Sequence, residues 1–192
     1  MQEILSEYLS FTRPLDDLRT SPVDLRSLSR QVKAVLEARS SDAGVDVRVT
    51  GDPATITGDA QRLRGMLLNL LGNALEATPS EGTVEIDVRE TAEGARLSVR
   101  DTGTGMDAET LDKLGQPFFS TKAEGTGLGV VIASTTVRQH GGAIRYESRP
   151  GAGTTVTVDL PRDVSPSKGL APSYAELSDV VAKPHENRTA TK

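Results

Sequence analysis

The sequence predicts an α+β fold, a two-layer α/β sandwich in which helices cover one face of a mixed, mostly antiparallel sheet. Residues 59–78 repeat apolar side chains at helical spacing, the mark of a helix with one buried stripe. Residues 83–101 and 143–160 each read as two alternating strands joined by a short turn. Helices and strands that each offer one apolar face bury them most simply against one another, as two layers.

The elements follow in order. Residues 2–12, QEILSEYLSFT, put Ile4, Leu5, Tyr8, Leu9 and Phe11 on one helical face, and Pro14 ends the run; Met1 falls in what reads as the later part of a longer helix. Residues 22–41 form a second helical stretch with Leu28, Val32, Val35 and Leu36 in register. VDVRVT, 45–50, alternates as a strand with one face in the core. The long helix runs from Asp59 to Thr78, with Leu63, Met66, Leu67, Leu70, Leu71, Ala74 and Leu75 as its stripe and Pro79 as its stop. TVEIDVRE and ARLSVRD form a hairpin across TAEG. Residues 127–140 form a further helix closed by Gly141-Gly142, and AIRYESR and TTVTVDL form a second hairpin across PGAG. Beyond Pro161 no period survives among Pro, Ser, Lys and Ala, so 162–192 is read as a disordered tail with room for one short helix near 174–182.

Composition narrows the function classes. Of 192 residues, 36% are apolar and 26% charged, so a core can form, and at 3% aromatics that core is aliphatic. A net charge of -5 without a basic block argues against nucleic acid or an anionic membrane as partner. With no cysteine, disulfides and thiolate metal sites are excluded. There is no signal-peptide pattern and no apolar run of membrane-spanning length.

Three segments carry polar chemistry. Arg62, Asn69, Asn73 and Glu76 share one stripe of the long helix beside its apolar face. Asparagines there either bond to neighbouring loops or offer carboxamide oxygens to a hard cation such as Mg²⁺. Asp101 ends a strand and opens DTGTGM. It is either turn chemistry or an acceptor for an exocyclic amine, with Gly103 and Gly105 admitting a flat ring. GTGLG, 125–129, precedes a helix, where free N–H groups and the helix dipole suit a phosphate chain, with Lys122 just upstream as a point charge. The alternative is a flexible loop. No Walker lysine follows, and no strand immediately precedes it as a dinucleotide fingerprint requires. In this order the three segments make the parts of one ATP site.

NLLGNALEA, DTGTGM, PFFSTK and GTGLGV resemble, in order, the N, G1, F and G2 boxes of the catalytic, ATP-binding domain of sensor histidine kinases, in the GHKL superfamily with its Bergerat-type fold. The resemblance runs from about Val23 to Pro161, includes HGG and PGAGTTVTVDLP, and is strongest to the nitrogen-regulation-type branch. It implies an ATP-binding domain over 22–161 with a mobile lid at about 106–124, and residues 1–14 as a remnant of the dimerisation and phosphoacceptor hairpin. By matching position, Asn73 would hold Mg²⁺ and Asn69 would sit near the phosphates. Asp101 would take the adenine amine with Gly103 and Gly105 under the ring. Gly125, Thr126, Gly127, Leu128 and Gly129 would wrap the phosphates, and Thr154 would support Asp101. Phe118 and Phe119 would anchor the lid when it closes or pack in the core. The implied partners are ATP, a histidine-bearing dimerisation domain and a response-regulator receiver domain. The segment itself would be cytoplasmic, without membrane contact, and a monomer or weak dimer.

Departures from the family pattern set further expectations. Asn69 stands where hydrolytic relatives have a glutamate, and a carboxamide takes no proton at neutral pH, so transfer is favoured over hydrolysis. Glu76 stands where many histidine kinases have a lysine. It is expected to face a metal-bound water or pair with Arg62, Lys122 supplying the positive charge. Asn69, Lys122 and Glu76 are therefore the candidate catalytic set. No acceptor histidine of the family's kind is present. His140, at a helix end, is expected to be structural, and His185 lies alone in the tail. The chain is then either part of a longer kinase or acts on another protein's histidine. A non-catalytic nucleotide-binding or phosphotransfer module is the second reading, and a hydrolytic ATPase the third.

Overall fold

The computed structural model describes residues 18–116, 119–120 and 126–164. The expected helix at 2–12, the hairpin remnant at 1–14, Lys122, Gly125, Phe118, His185 and nearly all of the 162–192 tail lie outside the described residues.

Seven strands and five helices are described: β1 (Ser21–Asp24), α1 (Leu25–Val35), α2 (Glu37–Ala43), β2 (Asp46–Gly51), β3 (Thr55–Gly58), α3 (Ala60–Ala77), β4 (Thr83–Glu90), β5 (Gly94–Asp101), α4 (Ala108–Lys113), α5 (Gly129–Gln139), β6 (Ala143–Ser148) and β7 (Thr154–Pro161). One sheet has five strands in the order β2-β4-β5-β7-β6. All its pairs are antiparallel except β2 with β4, which is parallel. The mixed, mostly antiparallel sheet and its helical layer match the expected class. The alternation of β4 and β5 sends Val84, Ile86, Val88, Leu97 and Val99 under the helices and Glu85, Asp87, Arg96 and Arg100 outward.

α3 is the centre of the core. Asp59 caps it by accepting from the N–H groups of Gln61 and Arg62 at 3.0 and 3.1 Å. All seven expected apolar residues are buried. The helix ends where Thr78, extended because Pro79 follows, returns its hydroxyl to the Ala74 carbonyl at 2.7 Å. His140, at the end of α5, is 0% exposed. Its Nε2 accepts from the Asp59 N–H at 2.9 Å, and its Nδ1 lies 2.7 Å from the Thr136 carbonyl. A carbonyl only accepts, so Nδ1 carries the proton and the ring is neutral. Burial pushes its pKa below the ordinary value, against the Thr136 carbonyl, which raises it. His140 thus locks the end of α5 to the start of α3.

Four local features differ from expectation. The single helix expected over 22–41 is a strand and two helices, broken at Leu36 with φ -95° and ψ 5°. Val35, expected on the buried face, is 64% exposed. The buried stripe is Leu25, Leu28, Ser29 and Val32, and Val35 sits at its edge in the last turn. β1 and β3, a two-stranded antiparallel sheet pairing Val23 with Ile56, were not expected. Each has only four residues, too few to show a period, and Pro22 lowers strand propensity. α4 was likewise not expected, being six residues with no buried side chain.

Candidate functional site

The site lies along the exposed edge of α3. Asn69 and Asn73 are half-buried there, one turn apart. A Cβ built on Gly129 would lie 3.4 Å from the Asn69 Oδ1, so the second glycine turn abuts the Asn69 end of the stripe. A Cβ on Gly103 would lie 2.4 Å from the Ala77 carbonyl oxygen, so the first glycine turn abuts the other end. The Thr104 N–H also donates to Ala77 at 3.0 Å. Between residues 69 and 77 the helix rises about 12 Å, which fixes the separation of the two turns.

At the Ala77 end, Asp101 is 5% exposed. Its Oδ1 accepts from the N–H groups of Gly103 at 2.9 Å and Thr154 at 3.1 Å. Oδ2 has no hydrogen-bond partner among the described residues, and it is the oxygen left to receive a donor. Burial raises the carboxyl pKa above its usual value, and the two N–H groups pull it partly back. Support from Thr154 therefore comes from its main chain. Its hydroxyl instead lies 2.9 Å from the Ser148 hydroxyl.

The glycines of DTGTG answer first to the protein itself. Gly105 has φ +65°, and a Cβ there would lie 1.9 Å from the Arg149 carbonyl oxygen, which no side chain tolerates. The sequence reading gave Gly103 and Gly105 to a flat ring. The sides a Cβ would occupy are filled by the chain's own backbone.

At the Asn69 end, Gly127 has φ +69° and Leu128 is buried as the residue before α5, with no side-chain hydrogen bond capping the helix. The first N–H groups of α5 are thus not taken by a cap. The Leu128 N–H lies 3.4 Å from the Thr126 hydroxyl oxygen. Lys122 and Gly125 are outside the described residues. Of the paired phenylalanines, Phe119 is half-buried and its N–H donates to the Gln116 carbonyl at 3.1 Å.

Glu76 is ion-paired with Arg39 of α2, which corrects the pairing with Arg62. Fourteen residues separate Glu76 from Arg62, about 21 Å of helix, beyond the reach of both side chains. Arg62 bonds instead to the Gln139 side chain at 2.7 Å, at the far end of α5. Arg39 and Ser148 went unnoticed in the sequence because each acts across a long chain separation; a cation flanking Gly72 in space has no local signature. Both members of the Arg39–Glu76 pair are well exposed, so Arg39→Ala is expected to lower the melting temperature by no more than about 5 °C, measured by a thermal melt.

Among the described residues no group of three or more His, Cys, Asp or Glu side chains converges to hold a metal. A cation here would rest on carboxamide oxygen, water and its ligand's own oxygens, a donor set that suits Mg²⁺. Among the described residues no helix is long and apolar enough to cross a membrane.

Residues 58–164 match the model of the family described as histidine kinase-, DNA gyrase B-, and HSP90-like ATPase. The chain is 38% identical over 164 residues to the sensor histidine kinase ZraS of Klebsiella oxytoca, covering 84% of this chain and 35% of that protein. It thus spans about a third of the length of that curated relative. The catalytic domain of histidine kinase ThkA superposes with a TM-score of 0.70 at 30% identity, covering 76% of this chain and 97% of that domain. ThkA in complex with the response regulator TrrA gives 0.72 at 26% identity, covering 88% and 48%. Full-length ShkA in complex with AMPPNP gives 0.76 at 29% identity, covering 86% and 36%.

Proposed function

The chain belongs to the histidine kinase-, DNA gyrase B-, and HSP90-like ATPase family, and from that premise we propose that it is the ATP–Mg²⁺-binding catalytic domain of a two-component sensor histidine kinase. It transfers the γ-phosphoryl group of ATP to a histidine on a dimerisation hairpin, for relay to a response regulator. The observation that carries this reading is the placement of the two glycine turns at opposite ends of the Asn69–Ala77 edge.

The roles follow from the chemistry of each group. Asp101 Oδ2 accepts from the adenine amine, and its orientation is fixed because Oδ1 is held by two main-chain donors. The turn from Thr126 to Gly129 and the uncapped start of α5 offer N–H groups to the phosphates. Asn69 orients a phosphate oxygen without activating water, since a carboxamide is no base at neutral pH. That favours transfer to an imidazole over hydrolysis. Mg²⁺, when bound, neutralises charge on the phosphates, with Asn73 as its protein ligand. Lys122 supplies a positive charge to the phosphates. Glu76 does not repel the phosphates while Arg39 neutralises it. Catalysis then comes from positioning and charge compensation.

The complex of ShkA with AMPPNP supports a nucleotide at this fold's site, and that of ThkA with TrrA supports a response regulator as downstream partner. Isothermal titration with ADP–Mg²⁺, and formation of acid-labile phosphate on a separately supplied acceptor hairpin, test the proposal; absence of heat on titration sinks it. Asn73→Ala and Lys122→Ala are each expected to reduce phosphoryl transfer at least tenfold. Asn73→Ala should also weaken the Mg²⁺ dependence of nucleotide binding, which a magnesium titration measures.

A further inference from the structure

We infer that Ser148 is the positioning residue that ties Met106, and with it the first glycine turn, to the adenine end of the site, an inference that rests on the nucleotide reading above. Ser148 closes β6 opposite Thr154 in register. Its Oγ lies 2.8 Å from the Met106 N, 3.0 Å from the Gly153 carbonyl oxygen and 2.9 Å from the Thr154 hydroxyl.

A serine hydroxyl has one proton and two lone pairs. The Gly153 carbonyl can only accept, so the proton goes there. The Met106 N–H takes one lone pair, and the Thr154 hydroxyl must donate to the other. Every hydrogen-bonding position of Ser148 is then used, and Thr154 is held by its side chain while its N–H holds Asp101. One hydroxyl therefore connects the adenine carboxylate to Met106.

Met106 closes the first glycine turn. Before it, Thr104 bonds to Ala77 and accepts from the Gly151 N–H at 2.7 Å, and Gly105 lies against Arg149. After it, Asp107 starts α4, which buries no side chain. Ser148 thus holds the last residue of the turn that carries Gly103 and Gly105.

The test is amide hydrogen exchange on the ligand-free protein together with ADP–Mg²⁺ titration, for wild type, Ser148→Ala and Ser148→Thr. The Met106 amide should be protected in wild type and exchange at least tenfold faster in Ser148→Ala. The same variant should bind ADP–Mg²⁺ about tenfold more weakly, and Ser148→Thr, which keeps the hydroxyl, should restore both. Should Ser148→Ala fail to fold, Ser148→Cys keeps the shape while replacing a strong acceptor with a weak one, and the same two losses are expected of it. An unprotected Met106 amide in wild type overturns the inference. So does a variant that binds as tightly as a wild type that does bind, and the nucleotide reading then stands. A wild type that gives no heat with ADP–Mg²⁺ removes the nucleotide reading and this inference with it.

Discussion

Asp101→Asn abolishes adenine-nucleotide binding while leaving the fold in place. In the native carboxylate, Oδ1 is occupied by the N–H groups of Gly103 and Thr154. An asparagine must put its carbonyl oxygen there, because an NH₂ facing two N–H donors would leave three donors without an acceptor. The NH₂ is then forced into the place of Oδ2, where the adenine amine also arrives as a donor. The substitution thus replaces an attractive contact with an opposed one. The expected loss of affinity for ADP–Mg²⁺ is at least about 100-fold by isothermal titration, with a nearly unchanged melting temperature because both main-chain bonds survive. Acid should mimic the mutation. Burial holds the Asp101 pKa above its ordinary 3.8, and Oδ2 accepts from the amine only when ionised. Wild-type affinity therefore falls as pH drops through that raised value, sooner than for an exposed carboxylate. The asparagine variant should lack that dependence.

His140→Ala has the largest expected effect on stability. It empties a fully buried site and leaves the Asp59 N–H without its acceptor, at the residue that caps α3. The cavity and the orphaned donor together cost about 3–4 kcal/mol, which lowers the melting temperature by roughly 10–15 °C. The pH dependence has a definite sign. The folded-state pKa lies below the ordinary 6.5, so below 6.5 the unfolded chain binds the extra proton first. Stability from the neutral ring is complete above 6.5 and is lost as pH falls through the depressed folded value. Melting curves across this range should slope for wild type and flatten for the alanine variant. The same burial separates His140 from any role as a phosphoacceptor, since no phosphoryl donor reaches a ring with 0% exposure.

These two residues show what a sequence discloses. α3 was legible because seven apolar side chains repeat at one period, and the asparagines stood out against that stripe. Asp101 was legible because a strand ended on it before a glycine turn. Its fixed orientation was not, for it comes from the Thr154 N–H, and a main-chain donor leaves no trace in residue identity. Arg39 reaches Glu76 across 37 residues of chain, a pairing that no window along the sequence contains. β1 and β3 were hidden by brevity, and Val35 by a helix that breaks one residue later. What was read correctly depends on local period and composition. What was missed depends on contacts closed only by the fold.

The two glycine turns are held apart by a length of α-helix, and a helix does not stretch. The edge between them is therefore a gauge. A ligand with a base and a full phosphate tail touches both ends at once, whereas a nucleoside or a monophosphate can satisfy only one. Discrimination between nucleotides with and without a phosphate chain would then be a matter of reach, set by backbone rise rather than by the shape of any pocket.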